Sequence, residues 1–366
     1  MPAETGGMRA GTARPDCGLG YIAMFAMPAI LVACALLGPV AARAADWLAF
    51  VPFTILFAIV PLLTMSGINL NEPDPARLYS PLARLYFHIL LLAAAPVQLV
   101  TLAMAIRFWN GSSLHPAGHI GWLLSVGAVS ALFAITVAHE LVHRRSRLDR
   151  IVGGILLSTV CFGSFKIVHL RVHHRFVGTA LDFSSAQRGD SIYRFWLRCL
   201  YGNPREALRC EHEWRRRGMS RWRSELFAWY GLSAGWLALC WLVWSWSGAL
   251  FFLLQSAVAI LILDLSNYLQ HYGLRRQTDA RGRYEPVRPD HAWTIRCRIT
   301  NLALLNLMRH GDHHTHPTVP YYALVHTAAP AYPYPLGFMM LLALVPPLFR
   351  RVVHPLLDRA VAGAEG

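Results

Sequence analysis

Long uninterrupted apolar runs dominate the pattern along this chain, in place of the alternation of a half-buried strand or the apolar stripe of a soluble helix. Residues 20–42, 47–65, 85–106 and 117–138 contain no Asp, Glu, Lys or Arg, and a fifth apolar run covers 226–263. Crossing the ~30 Å hydrocarbon core of a bilayer takes about 20 apolar residues in a helix, so each of the first four runs predicts one membrane span. The fifth run, 38 residues long, would reach about 57 Å as a helix, nearly twice one crossing. It predicts two spans joined by a hairpin at Ser247-Gly248. The expected fold is therefore all-α, a polytopic integral membrane protein with six transmembrane helices. Two shorter apolar pieces, 151–165 and 336–349, predict re-entrant or interfacial helices, and the Arg-rich stretch 181–225 predicts a helical cap beneath the bundle.

Charge orients this arrangement. Of 366 residues 55% are hydrophobic, which excludes a disordered chain, and 15% are charged, against about 25% in soluble domains. The net charge of +14 would suit a nucleic-acid binder if it were spread over a soluble surface. It is not: 17 of the 34 basic residues lie between His139 and Arg223 and seven between Arg275 and Arg298. The three connections on the other side, 43–46, 107–116 and 245–248, hold only Arg43 and Arg107. Basic residues collect on the cytoplasmic side, so both termini and the cap are expected there, with no nucleic-acid partner. The expected layout is a cytoplasmic tail (1–19), spans one to four (20–138), a cap (139–225), spans five and six (226–270) and a cytoplasmic C-terminal part (271–366). Trp47, Trp109, Trp122, Trp244 and Trp246 fall near the outer boundary, as an aromatic belt would. Arg9 and Arg14 ahead of the first apolar run imitate a secretory signal, but that run exceeds the usual ~7–15 residues, so a retained first helix is expected. The seven cysteines include no C-x-x-C pair and predict no disulfide framework.

The candidate chemistry is histidine. The 17 histidines include three clusters at the cytoplasmic ends of spans or in the cap: His139 and His143 in H-E-L-V-H; His169, His173 and His174 in H-L-R-V-H-H; and His310, His313 and His314 in H-G-D-H-H. Spacing i, i+4 puts two imidazoles on one helix face, where both can reach one metal ion. His271, in N-Y-L-Q-H-Y-G where the last span ends, is a ninth candidate. Eight or nine imidazoles exceed the needs of one tetrahedral zinc and suit two metals, with iron, copper and zinc all compatible. H-E-L-V-H also fits the zinc-protease pattern H-E-x-x-H, with Glu140 as general base. That alternative leaves six clustered histidines without a role. Glu140, and after it Asp312, Asp264, Asp182 and Asn267, are candidates to accept a hydrogen bond from a ligating ring and orient it.

These strings resemble the integral-membrane, histidine-rich di-iron family of fatty-acid desaturases and hydroxylases, and within it the bacterial alkane 1-monooxygenases. The resemblance is carried by 139–144, 169–174, 267–274 (N-Y-L-Q-H-Y-G-L), 307–317 (L-M-R-H-G-D-H-H-T-H-P), 195–203 and 346–351, and runs from about residue 45 to residue 358. It implies terminal hydroxylation of an n-alkane with O2 and two iron ions. The implied iron ligands are His139, His143, His169, His173, His174, His271, His310, His313 and His314. It also implies electrons from rubredoxin and its NAD(P)H-dependent reductase. The sequence agrees on needing an outside reductant, having neither a Rossmann glycine fingerprint nor a C-x-x-C pair. Three positions depart from the family pattern: Val168 and Thr64 where acidic residues are common, and Gln270 where glutamate is usual, as in the related xylene side-chain monooxygenases. An alkane offers no polar handle, so its binding must rest on apolar burial. Phe50, Phe53, Phe57 and Phe87 are the candidates to line its channel.

Overall fold

In the computed structural model the described residues are 20–41, 44–67, 79–218, 220 and 224–364; the expected tail 1–19, with Arg9 and Arg14, and Arg43 lie outside them. Helices make up the fold, and no strand occurs among the described residues beyond two isolated bridges. Among the described residues, five helices are long and apolar enough to cross a membrane: α1 (Tyr21–Ala41), α2 (Ala45–Met65), α3 (Pro81–Gly111), α4 (Pro116–Val142) and α8 (Glu225–His271). Between α4 and α8 lie α5 (Arg147–Ser158), a helical segment α6 over 163–176, and the amphipathic α7 (Ile192–Arg216). After α8 come α9 (Arg298–Ala303), α10 (His310–Thr315), α11 (Leu336–Ala343) and α12 (Pro346–Ala364).

Serine hydroxyls start several of these helices by accepting an otherwise unpaired backbone N–H of the first turn. Ser80 caps α3 through Ala83 N (3.2 Å), with Pro81 supplying the preset φ of the first helical position. Ser191 caps α7 through Arg194 N, and Ser224 caps α8 through Phe227 N, both at 3.2 Å. Within the bundle, Ser125 of α4 donates to Ala49 O (2.7 Å) and accepts from Phe53 N (3.2 Å), tying α4 to α2. Such small-residue, hydrogen-bonded contacts hold helices together where lipid removes the hydrophobic drive.

α8 is not one straight helix. Trp244 (φ −125°, ψ 18°) and Ser245 (φ 61°, ψ −170°) leave helical geometry, and the chain folds back there. From the first arm Ser233 Oγ donates to Ser158 O (3.0 Å), and from the second Gln255 Nε2 donates to Thr159 O (3.0 Å), so both arms meet the same end of α5. The turn thus falls at Trp244-Ser245, ahead of the expected Ser247-Gly248. Gly248 serves a different need: a Cβ there would lie 2.5 Å from Trp244 Cβ and 3.2 Å from Cys240 O, so its lack of a side chain lets the arms close. Trp122 also departs from expectation. It is fully buried against Phe108 and donates to Ala105 O (3.0 Å), a core residue rather than part of a belt.

Candidate metal centre

The ends of α4 and α8, the segment α6 and the short α10 converge, and they bring all nine candidate histidines together in two groups. His139, His143, His169, His174 and His313 form one; His173, His271, His310 and His314 form the other, and within each group the potential ligand atoms lie within 4.8 Å of one another. The i, i+4 pair His139–His143 stays in one group, as does His310–His314 (Nε2–Nε2 3.0 Å). His169 and His173 do not. Residues 169–173 wind as a π-helix, whose i→i+5 repeat brings His174 over His169 (Nε2–Nε2 3.0 Å) and releases His173 to the other group. The groups touch through His174 and His314, whose ring centroids are 4.5 Å apart.

The nitrogens fit metal ions better than they fit each other. His169 Nε2 is 2.9 Å from His143 Nε2 and 3.0 Å from His174 Nε2, while His310 Nε2 is 3.0 Å from both His271 Nε2 and His314 Nε2. One imidazole nitrogen carries a single lone pair or a single proton, so it cannot bond well to two such partners at once. The Nε2 atoms of His139 and His173 are buried with no hydrogen-bond partner among the described residues. Converging lone pairs of this kind suit a cation. Burial, then repulsion from neighbouring imidazoles, holds His169, His174, His310, His313 and His314 well below the ordinary histidine range. They are therefore neutral and able to ligate.

One carboxylate acts directly on a ring. Asp182 Oδ2 is 2.8 Å from His173 Nδ1 and also accepts from Ser185 Oγ (2.6 Å), while Oδ1 accepts from Ser184 N (3.0 Å) and Ser184 Oγ (2.7 Å). Burial alone would raise this carboxyl, but His173 and the hydrogen bonds from His173, Ser185 and Ser184 outweigh it and hold it at about 2. The other candidates are placed differently. Glu140 is held by Arg144 (3.1 and 3.3 Å) beside His139 and His143. Asp312 accepts from Val325 N (2.8 Å) and pairs with His316 Nδ1 (3.0 Å), steadying the end of α10 instead of a candidate ligand. Asp264 is buried and Asn267 half-buried on α8, and neither makes a hydrogen bond to a histidine. With its carboxylate engaged by Arg144, Glu140 is poorly placed to be the free base that a zinc protease needs.

The three departures also find a physical setting. Gln270 Nε2 donates to Leu307 O (3.3 Å), a bond an ionised glutamate could not make, and so supports the strand of chain leading into α10. Thr64 Oγ1 donates to Val60 O (2.8 Å), and Val168 packs among Val172, Ala207 and Leu226.

An apolar cavity of about 230 Å³ lies between α1, α2, α4, α9 and α11, lined among others by Met24, Phe57, Val129, Phe133, Leu304 and Met340. Leu304 also borders a much smaller space, about 10 Å³, walled by Thr136, His139, Glu140 and His313. It therefore stands between the cavity and the first histidine group. Of the four phenylalanines expected along a channel, only Phe57 lines this cavity. Phe53 stacks on Phe57 (centroids 4.5 Å apart), Phe50 covers Gly121, and Phe87 is buried in a stack with Tyr322 (4.3 Å). Leu305 and Asn306 follow with φ of 52° and 57°, a conformation that costs non-glycine residues free energy. Asn306 Nδ2 holds it by donating to Tyr21 Oη (2.7 Å) and Tyr321 O (2.8 Å). On the other side of Glu140, an open cavity of about 450 Å³ reaches His143 past Arg144, Arg145 and Pro317.

The sequence model described as fatty acid desaturase matches residues 114–340. Alkane 1-monooxygenase 2 of Pseudomonas aeruginosa is 38% identical over 324 residues, covering 85% of each chain. Alkane 1-monooxygenase 2 of Alcanivorax borkumensis is 33% identical over 350 residues, covering 94% of this chain and 92% of its own. The xylene/toluene monooxygenase hydroxylase component of Pseudomonas putida is 32% identical over 240 residues, covering 64% of this chain and 63% of its own.

Proposed function

Because the chain belongs to the fatty acid desaturase family and, with its alkane 1-monooxygenase relatives, is an oxidoreductase of the monooxygenase class, we propose that it hydroxylates the terminal methyl of medium- or long-chain n-alkanes at a di-iron centre. The overall change is R–CH3 + O2 + 2 electrons + 2 protons → R–CH2OH + H2O, with rubredoxin, reduced by an NAD(P)H-dependent reductase, as electron donor. Two iron ions bound by the nine histidines supply reductive activation of O2, which side chains cannot perform alone.

The chain's own residues do the rest. The first group, His139, His143, His169, His174 and His313, holds one ion, and His173, His271, His310 and His314 hold the other. Asp182 accepts the Nδ1 proton of His173 in a hydrogen bond, which leaves the Nε2 lone pair free to ligate. The apolar cavity takes the alkyl chain by burial alone, worth roughly 0.8 kcal/mol per methylene, and Leu304 admits only the chain end to the space at His139 and His313. The single observation that carries the reading is this adjacency of an apolar cavity to a buried histidine centre. The fold-back of α8 at Trp244-Ser245 supports six spans, with α5, α6, α7 and the C-terminal elements forming a cap on the cytoplasmic side of the inner membrane. On that side the opening at His143, rimmed by Arg144 and Arg145, suits an acidic electron carrier.

The test is product analysis with the purified, iron-loaded full chain, an electron donor and O2, offering n-octane, hexadecane or p-xylene. Primary alcohol from an alkane supports the proposal. Alcohol from p-xylene alone transfers the activity to alkyl-aromatic substrates, and an alkene without alcohol makes the protein a desaturase.

A further inference from the structure

The chain's only lysine is buried. Lys166, on α6, has a side chain only 5% exposed; its Nζ is 3.1 Å from Glu225 Oε2 and sits over the Trp229 ring at 4.9 Å. It forms part of the wall of a separate cavity of about 520 Å³ between α5, α6, the end of α7 and the start of α8. Arg150, Arg171 and Arg217 line the same cavity, and Glu225 is the one acid among its described lining residues. Lys166 occupies that acid, and among the described residues none of the three arginines has a carboxylate partner. Arg171 lies over Trp214, with its guanidinium carbon 3.8 Å from the ring centroid, a contact that does not consume its N–H donors. All three arginines are exposed, so the cavity presents three positive charges to solvent beside one acid already engaged by Lys166.

The position of the cavity selects the anion. Glu225 and Trp229 are the first turns of a membrane-crossing helix, and Ile167, Leu170 and Trp214 give the cavity apolar walls. Within two residues of Arg150 and Glu225 along the chain, Leu148 and Ile151 on α5 and Phe227 on α8 are large apolar side chains exposed at the surface. Cations next to exposed apolar surface at the mouth of a span match a phosphate that carries acyl chains. We propose that this cavity binds the phosphate of an anionic phospholipid headgroup, with Arg150, Arg171 and Arg217 on the phosphate and the acyl chains lying along Leu148, Ile151 and Phe227. The lipid source rests on the membrane placement proposed above; the phosphate chemistry does not, and the test separates the two.

The full-length, metal-loaded protein is delipidated in non-ionic detergent and titrated with dihexanoyl phosphatidylglycerol, with the phosphatidylcholine of the same chains, and with inorganic phosphate. Phosphatidylglycerol is expected to bind one per chain, at least tenfold more tightly than either of the others. Each arginine removed should weaken it about fivefold, so the R171Q/R217Q variant binds roughly 25-fold more weakly, while R171K/R217K, which keeps both charges, stays within about fivefold of the parent. Unchanged metal content in these variants shows that they are folded. Equal binding of phosphatidylglycerol and phosphatidylcholine, or full binding by R171Q/R217Q, overturns the site. Inorganic phosphate binding as tightly as phosphatidylglycerol overturns the lipid and leaves a soluble phosphate ligand. Unchanged lipid binding by R171Q/R217Q together with slowed reduction by the electron carrier makes the surface a protein dock and also overturns the proposal.

Discussion

Replacing Asp182 with asparagine separates the two halves of the metal centre. The carboxylate accepts from four donors: Ser184 N, Ser184 Oγ, Ser185 Oγ and His173 Nδ1. An asparagine amide can accept on one side only. If its oxygen stays on the Ser184 side, its NH2 faces His173 Nδ1, which must then accept; the proton moves to Nε2, and that nitrogen can no longer ligate. If the amide flips, the NH2 opposes Ser184 N, donor against donor, inside a fully buried pocket. Either way the second group, His173, His271, His310 and His314, loses a properly oriented ligand. Loss of such an outer partner typically weakens metal binding 10–100-fold, about 1.4–2.7 kcal/mol. The lost hydrogen bonds to a charged group cost the fold a further ~1.5–3 kcal/mol. Chelator titration of D182N, followed by elemental analysis, should show one ion leaving at 10–100-fold lower chelator activity, with the ion of the first group retained. Retention of both ions at parental affinity, or equal loss of both, refutes the reasoning.

Gly311→Ala should weaken both sites at least tenfold, because its Cβ would fall 2.4 Å from Pro289 O and 3.0 Å from Pro289 Cα; backbone cannot rotate aside, so α10 must shift with His310, His313 and His314, and metal titration reads the loss. Leu304→Phe should leave metal content unchanged while cutting alcohol formation at least tenfold and favouring shorter alkanes, measured by product chromatography; unchanged chain-length preference removes Leu304 from the path. Stripping the metals should lower the apparent Tm, since a ligand present at 1,000 times its Kd stabilises by about 4 kcal/mol per site; restoring iron should recover it, which a thermal-shift series checks.

How much of this was legible in the sequence follows the range of each signal. The apolar runs announced the long helices to within a few residues because hydropathy is a local property. That the fifth run is interrupted was readable from length alone, but the place of the break was not: Gly248 looks like a hinge and acts as a contact, while Trp244 and Ser245 carry the non-helical angles. The histidine strings stood out, yet their division into groups depends on the π winding of residues 169–173, which i, i+4 counting cannot anticipate. Asp182 lies nine residues beyond His173 across a turn, a separation with no helical meaning, so Glu140, adjacent to a candidate ligand, drew more weight than the carboxylate that touches one. The cavity followed the same rule. Phenylalanines on the early spans were plausible by type, whereas Leu304 reaches the site only through the left-handed turn at Leu305 and Asn306.

The central claim, two metal ions held by two histidine groups, is tested most directly by the iron-to-protein ratio of the purified full chain. Elemental analysis against quantitative amino-acid analysis should give two irons per chain. A ratio of one metal per chain, or zinc in place of iron, contradicts the account.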